Sequence, residues 1–145
     1  LVERPEGVQG RWVAVDLYEQ TLVAYEDDTP VFATLVSTGL PDWDTNEGIF
    51  TVWARLIVGN QSGATGAPDS YALESVPWIL YFDGDISFHG AYWHDDFGYR
   101  RSHGCVNMTI SDARYLFEWT GASTPGENGE IVTHVYVYSS GKYRN

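Results

Sequence analysis

Short hydrophobic runs, rich in valine, isoleucine, threonine and aromatic residues and separated by turn residues, dominate this chain. Such runs are typical of β-strands, whose apolar positions recur every second residue or fill a short buried segment. Hairpins are predicted where YEQT separates two runs and where DGD precedes ISFH. The predicted strands are Arg11–Leu17, Leu22–Glu26, Pro30–Gly39, Gly48–Val58, Val76–Phe82, Ile86–His89 and Glu130–Tyr138. About seven strands predict a mainly β protein with a sandwich-like or barrel-like sheet arrangement.

One segment departs from this strand pattern and predicts the principal helix. In MTISDARYLFEWTG, the apolar residues recur at helical spacing between a polar start and a final glycine. Thr109 or Ser111 is the predicted N-cap, and Gly121 is the predicted end of the helix. The helix would begin just after Cys105, the single cysteine of the chain.

Two glycine-containing stretches, Gly59–Ser70 and Gly121–Gly129, predict flexible loops. A long connection in a compact domain often covers a substrate cleft, although a plain surface excursion has the same sequence signature.

The composition fits one folded domain over residues 1–145. Hydrophobic residues make up 43% of the chain and aromatic residues 15%, which is enough to build a core. A single cysteine excludes an internal disulfide framework. We expect a monomer.

The charge excludes some classes of partner. The formal net charge is -12, and only 8 residues are lysine or arginine. Nucleic acids and anionic membrane surfaces are bound by clustered basic residues, so neither is an expected partner. No apolar run approaches the roughly 18 to 20 residues of a spanning helix. Because the sequence starts at Leu1 rather than methionine, we expect a signal or anchor to lie outside it.

Cys105 lies among residues suited to nucleophilic catalysis. A catalytic thiol needs a base within hydrogen-bond reach and N–H donors for the oxyanion. His103 precedes Cys105 by two residues and would share its side of an extended segment, while His89 precedes it by sixteen, at the end of a predicted strand. Gly104 leaves space beside the thiol, so that the N–H groups of Gly104 and Cys105 are candidate oxyanion donors. Either histidine could be the base.

Two other interpretations of these residues remain open. A lone cysteine is often a small buried hydrophobic residue, and a lone histidine is often structural. A zinc site is the second alternative. Its potential ligands are His89, His94, His103 and Cys105. The HGC spacing is tighter than that of usual structural zinc sites, so no metal is expected there. We expect no cofactor either.

SHGCVN, preceded by FHG, resembles the signature of the L,D-transpeptidase catalytic domain, also called the YkuD domain. VDLYEQTLVAYEDDTPVFATLVSTG is similar to the opening hairpin of that family and the strand that follows it. TNEGIFTV and VPWILYFDGDISFHG resemble later stretches in the same order, although Asn46 replaces the usual proline. Residues 11–138 form the matching core of the single domain.

The resemblance implies a mainly β, sandwich-like fold with one principal helix after the catalytic cysteine. It also implies a cysteine-dependent transpeptidase that acts on the stem tetrapeptides of peptidoglycan. Cys105 would be the nucleophile and His89 the base, with the carbonyl of Gly90 orienting the imidazole ring. His103 would shape the site, and the N–H groups of Gly104 and Cys105 would bind the oxyanion. A thioester would form as D-alanine leaves, and an acceptor amine would resolve it into a 3–3 cross-link.

The resemblance and the loop chemistry also suggest residues that contact the substrate. They are Ser102, Asn107, Arg100, Arg101, Tyr71 and Trp93. Many members of the family carry arginine where this chain has Asn107, so that carboxylate recognition could pass to the two arginines, which could equally be solvated loop charges. Trp93 belongs to a WHDD cluster that either lines the cleft or forms a plain acidic loop.

Two rival functions remain open at this point. An L,D-carboxypeptidase or other hydrolase would form the same acyl-enzyme and resolve it with water. A non-catalytic cell-wall-binding module would keep the fold without the reaction. The transpeptidase implies donor and acceptor stem peptides as partners and a bacterial, extracytoplasmic location in the periplasm or cell wall.

Overall fold

The computed structural model describes residues 2–63, 71–121 and 132–141. Nine strands and one helix occur in these ranges. They are β1 Arg11–Asp16, β2 Thr21–Glu26, β3 Thr29–Leu35, β4 Gly48–Thr51, β5 Ala54–Gly63, β6 Tyr71–Asp83, β7 Ile86–Gly90, β8 Val106–Met108, α1 Ile110–Gly121 and β9 His134–Tyr138. Within the described part of the chain, no helix has the length and apolar character needed to cross a membrane.

The strands form two sheets. The first has the order β3-β2-β1-β9-β4, in which β1 and β2 are the predicted hairpin and β9 runs parallel to β1. The second has the order β5-β6-β7-β8 and contains the predicted β6–β7 hairpin. Strands β7 and β8 are parallel neighbours, so the chain between them must return from one end of the sheet to the other. That return segment, residues 91–105, carries most of the candidate site residues.

The main core lies between the two sheets and the helix. Its members are buried apolar residues from both sheets and from α1. They include Val13, Val15, Leu80, Phe88, Val106, Met108, Leu116 and Val137. Because side chains alternate along a strand, the residues on either side of Phe88, and Asn107 after Val106, turn away from this core. The mainly β, sandwich-like prediction with one principal helix is confirmed.

The helix follows its sequence signals closely. The N–H group of Asp112 donates to Oγ1 of Thr109 at 3.2 Å, so Thr109 rather than Ser111 is the N-cap. At the other end, Arg55 donates through Nη2 to the carbonyl of Phe117 at 2.7 Å. This contact adds a side-chain hydrogen bond to a carbonyl in the last turns of the helix, which ends at Gly121.

The single strand predicted over Gly48–Val58 is wrong, because the chain changes sheets within it. Val52 donates its N–H to the carbonyl of Thr133 beside the first sheet, and Trp53 donates to Tyr81 in the second. Both distances are 2.9 Å. Apolar residues occur on both sides of this transfer, although Phe50 of β4 packs against the main core whereas Leu56, Ile57 and Val58 of β5 are exposed.

Other boundaries also differ from the prediction. The loop predicted over Gly59–Ser70 is wrong as far as Gly63, because β5 continues to that residue, and the remainder lies outside the described residues. Strand β3 ends at Leu35, and the chain up to Gly39 makes only isolated bridges. The final strand begins at His134. Of the loop predicted over Gly121–Gly129, only Gly121 is described.

Candidate active site

Cys105 lies at the end of a turn that leads directly into β8. Gly104 has a φ of 125°, a backbone conformation that L side chains rarely adopt. A Cβ atom on Gly104 would lie only 2.8 Å from Cδ1 of Ile86. The extended segment expected from His103 to Cys105 is therefore wrong, since the chain bends here and the strand begins at Val106.

Two hydroxyl groups hold this turn. Ser102 donates to the carbonyl of Cys105 and accepts from the N–H of Gly104 at 3.1 Å. Thr45 donates from Oγ1 to the carbonyl of Gly104 at 2.6 Å. The Ser102 hydroxyl, expected to contact substrate, is therefore used inside the turn. The Gly104 N–H, expected as an oxyanion donor, also points at that hydroxyl.

The sulfur of Cys105 lies against the start of β7. Its Sγ atom is 3.7 Å from Oγ of Ser87 and 3.9 Å from the carbonyl oxygen of Asp85. Cys105 is only 5% exposed. Burial raises the pKa of the thiol, and the contacts with Ser87 oppose that rise. The thiol is therefore protonated at rest, and it would need a base in order to act as a nucleophile.

His89 is placed on the same face as this sulfur contact. It follows Ser87 by two residues on β7, so both side chains point away from the core. It also pairs in register with Asn107, two residues beyond Cys105 on the neighbouring strand. His89 is 2% exposed, and its Nδ1 donates to the carbonyl of Gly90 at 3.1 Å. In that tautomer Nε2 carries the lone pair that can accept a proton.

The electrostatics keep this imidazole neutral. Burial lowers the pKa of His89 to about 4, while the Gly90 carbonyl opposes the shift. The backbone at Gly90 is itself tightly packed. A Cβ atom there would meet Ile110 and Pro77 at 3.1 Å. A side chain at Gly90 would therefore displace the carbonyl that orients the His89 ring.

His103 lies on the other side of the turn, against a loop that sequence reasoning did not connect with the site. Its ring meets Trp43 edge-on, with centroids 4.8 Å apart and an interplanar angle of 83°. The Trp43 loop is tight, because a Cβ atom on Gly39 would lie 1.9 Å from the Trp43 carbonyl oxygen. His103 is half-buried and borders the turn that carries Cys105.

The two candidate arginines make ion pairs within the protein. Arg100 donates from Nη2 to Asp44 at 2.6 Å, and its side chain is only 8% exposed. Arg101 pairs with Asp96 at 3.2 Å at the surface. Arg100 thus joins the loop next to Trp43 to the turn, and a substrate carboxylate would have to compete with Asp44 for it.

The chain that follows β7 packs over the face of β7 and β8 that points away from the main core, which we call the outer face. The ring of Trp93 lies 5.6 Å from that of His89. His94 accepts from the N–H of Asp96 through Nδ1 at 3.0 Å, and its Nε2 lies 3.1 Å from the side-chain amide of Asn107. Asn107 is 2% exposed. The structure thus brings Trp93 and Asn107 beside His89.

One substrate-contact candidate from the sequence remains, Tyr71. Tyr71 is the first residue of β6, and its side chain lies outside the described part of the structure.

The residues that sequence reasoning missed are Ser87, Trp43 and Thr45. Only Ser87 carried a local signal, because it alternates with His89 in SFHG. Trp43 and Thr45 come from a loop some sixty residues away in the chain.

The potential zinc ligands do not converge. No group of three or more histidine, cysteine or carboxylate side chains with metal-binding geometry occurs among the described residues. Both ring nitrogens of His94 are engaged, by Asp96 and by Asn107.

Comparison with known proteins connects this fold with one class of protein. The L,D-transpeptidase from Stackebrandtia nassauensis is 25% identical, with a TM-score of 0.70 over 96% of this chain and 59% of that one. L,D-transpeptidase 3 from Mycobacterium tuberculosis, solved with a faropenem-derived adduct, is 19% identical. Its TM-score is 0.73 over 90% of this chain and 60% of that one. The fold is therefore that of the L,D-transpeptidases.

The sequence comparisons agree with the fold. YciB of Bacillus subtilis (strain 168) is 24% identical over 118 residues, which are 74% of this chain and 59% of YciB. The model of the YkuD family, the L,D-transpeptidase catalytic domain, matches residues 10–136. The chain belongs to this family, as its sequence signature predicted. It spans about three fifths of the length of these relatives.

Proposed function

We propose that this chain is a cysteine-dependent L,D-transpeptidase that acts on the stem tetrapeptides of bacterial peptidoglycan, outside the cytoplasmic membrane. The observation that carries the proposal is the outer face of β7 and β8. There, the Cys105 thiol lies against Ser87, and His89 follows on the same face with its Nδ1 proton held by Gly90. Family membership adds the reaction class.

The resting charges define the first step. Both Cys105 and His89 are neutral, because burial disfavours the thiolate and the imidazolium. Proton transfer from Sγ to Nε2 of His89 therefore accompanies attack on the carbonyl carbon that joins the diamino acid to D-alanine. The Gly90 carbonyl stabilises the imidazolium through its Nδ1 proton.

The later steps return the proton. The tetrahedral intermediate collapses, the C–N bond breaks, and the imidazolium protonates the departing amine of D-alanine. The acyl group remains on sulfur as a thioester. The amine of a neighbouring stem then attacks, gives a proton to His89, and forms the new amide as Cys105 leaves and is reprotonated.

The oxyanion needs donors beside the turn. Since the Gly104 N–H donates to Ser102 in this structure, the backbone N–H of Cys105 is the preferred oxyanion donor. His103, held by Trp43, borders the same turn and would contact the acyl donor. Trp93 would cover the His89 side of the cleft.

Incubation with a disaccharide tetrapeptide, followed by mass spectrometry, tests the proposal. A cross-linked dimer with release of D-alanine is the expected product. If tripeptide is the only product, the chain is a hydrolase rather than a transpeptidase. If there is neither a reaction nor a carbapenem adduct on Cys105, the chain is a non-catalytic binding module. Cys105→Ala is the control for both products and adduct.

A further inference from the structure

We propose that His94 is a positioning residue, which holds the Asn107 amide so that its NH2 group faces the Cys105–His89 site and donates to an oxygen of the acyl-donor peptide. This inference rests on the proposed function. It gives His94 a part in substrate binding, although its own side chain lies in the covering segment rather than on β7 or β8.

The tautomer of His94 follows from its two contacts. The backbone N–H of Asp96 donates to Nδ1 at 3.0 Å, so Nδ1 must carry a lone pair. A neutral ring then has its proton on Nε2, and Nε2 becomes a donor. Burial together with Arg101 lowers the pKa of His94 against the opposing carboxylates of Asp96 and Asp95, which favours this neutral form.

The orientation of Asn107 follows from that tautomer. The structure places Nδ2 of Asn107 3.1 Å from Nε2 of His94, and leaves Oδ1 at the other end of the amide. Because Nε2 donates, the atom that faces it must instead be the amide oxygen, so we assign the amide the opposite orientation, in which the NH2 group takes the other end. With the NH2 group facing Nε2, both ring nitrogens of a neutral imidazole would have to act as acceptors, which its single ring proton forbids.

The other end of the amide has no hydrogen-bond partner in the part of the chain that the structure describes. Asn107 is 2% exposed, and the amide end away from His94 is buried without a hydrogen bond among the described residues. A buried donor without a partner destabilises the folded protein, so a site that keeps one is suited to a ligand acceptor. A peptide carbonyl or carboxylate oxygen supplies that acceptor.

The backbone of Asn107 is fixed in place. Its N–H and carbonyl exchange hydrogen bonds with Ser37 at 2.8 and 2.9 Å. It lies two residues beyond Cys105 and opposite His89 in the β7–β8 register. The side-chain amide is therefore the part of Asn107 that is able to rotate, and the ring of His94 decides which end faces the site.

A double-mutant cycle tests this coupling. In His94→Ala, we expect kcat/KM for the disaccharide tetrapeptide to fall about tenfold, because the donor is no longer held toward the substrate. In an Asn107→Ala background, the same substitution should change kcat/KM by less than about twofold. His94→Gln, whose side-chain N–H can still donate to the amide oxygen, should restore most of the loss. Tyr99→Ala, a 74% exposed position in the same segment, is the matched control.

Equal losses in both backgrounds, or no loss in His94→Ala, would overturn the proposal. Long-range proton–nitrogen NMR spectra report independently which ring nitrogen of His94 carries the proton. We expect the Nε2–H tautomer. The Nδ1–H tautomer would refute the assigned amide orientation. If the wild-type chain fails to turn over the tetrapeptide, the proposed function fails. The NMR spectra would then still test the arrangement of His94 and Asn107, because the tautomer of His94 is measured without substrate.

Discussion

Replacing Gly104 with alanine should disturb the proposed nucleophile, Cys105, more than the fold. The residue has a φ of 125°, and an added Cβ atom would meet Cδ1 of Ile86 at 2.8 Å. A non-glycine residue in such a conformation costs about 1–3 kcal/mol. For a domain of this size we expect the melting temperature to fall by about 4 to 12 °C, which leaves the protein folded at 25 °C.

The activity should fall further than this loss of stability explains. Relief of the clash must move either the end of Ile86 or the turn that carries Cys105. A displacement of about 1 Å at a reacting group can cost about 100-fold in rate. The assay is the initial rate of tetrapeptide consumption at a temperature where circular dichroism shows the variant to be fully folded.

Two variants separate the contributions of backbone strain and steric clash. Gly84→Ala places alanine at a φ of 57° with no heavy atom within 4 Å of the new Cβ, so it should lose some stability and keep its activity. Gly104→Ala combined with Ile86→Ala removes the clash but not the strain, and should regain part of the rate. Full activity and an unchanged melting temperature in Gly104→Ala would refute the reasoning.

Three further predictions follow from the site and its supports. Because burial lowers the folded pKa of His89 to about 4 from 6.5, the unfolded chain binds the extra proton first as the pH falls. The wild type should thus lose about 3 kcal/mol of stability as the pH falls from 6.5 through 4, and urea titrations should show a weaker pH dependence in His89→Gln. Arg100→Ala breaks the ion pair that holds the Trp43 loop, so both its melting temperature and its activity should fall, whereas Arg114→Ala, which breaks an exposed pair with Glu118, should leave both nearly unchanged. Thr109→Ala removes the helix N-cap and should cost about 1 kcal/mol in urea unfolding, whereas equal losses in Ser111→Ala would contradict the cap assignment.

The sequence was most informative where the physical signal is local. The β1–β2 hairpin, the helix capped by Thr109, and the SHGC signature are each encoded by a few consecutive residues. Alternation along β7 also places Ser87 and His89 on one face. That alternation contains the information needed to find the hydroxyl beside the thiol.

The remainder depends on contacts that a single sequence does not encode locally. The transfer between sheets at Val52 and Trp53 occurs inside a run of strand-forming residues in which no glycine or proline marks it. Trp43 reaches His103 from a distant loop. The bend at Gly104 required a backbone conformation that spacing alone did not reveal.

Intact-protein mass spectrometry after mixing with the disaccharide tetrapeptide tests the pairing of Cys105 and His89 most directly. For the wild type we predict a transient adduct on Cys105 equal in mass to the substrate less D-alanine. His89→Ala should form it at least about 100-fold more slowly, because the buried thiol loses its base, whereas His103→Ala should form it faster than His89→Ala does. An adduct that forms at the wild-type rate in His89→Ala, or on a residue other than Cys105, would contradict the account.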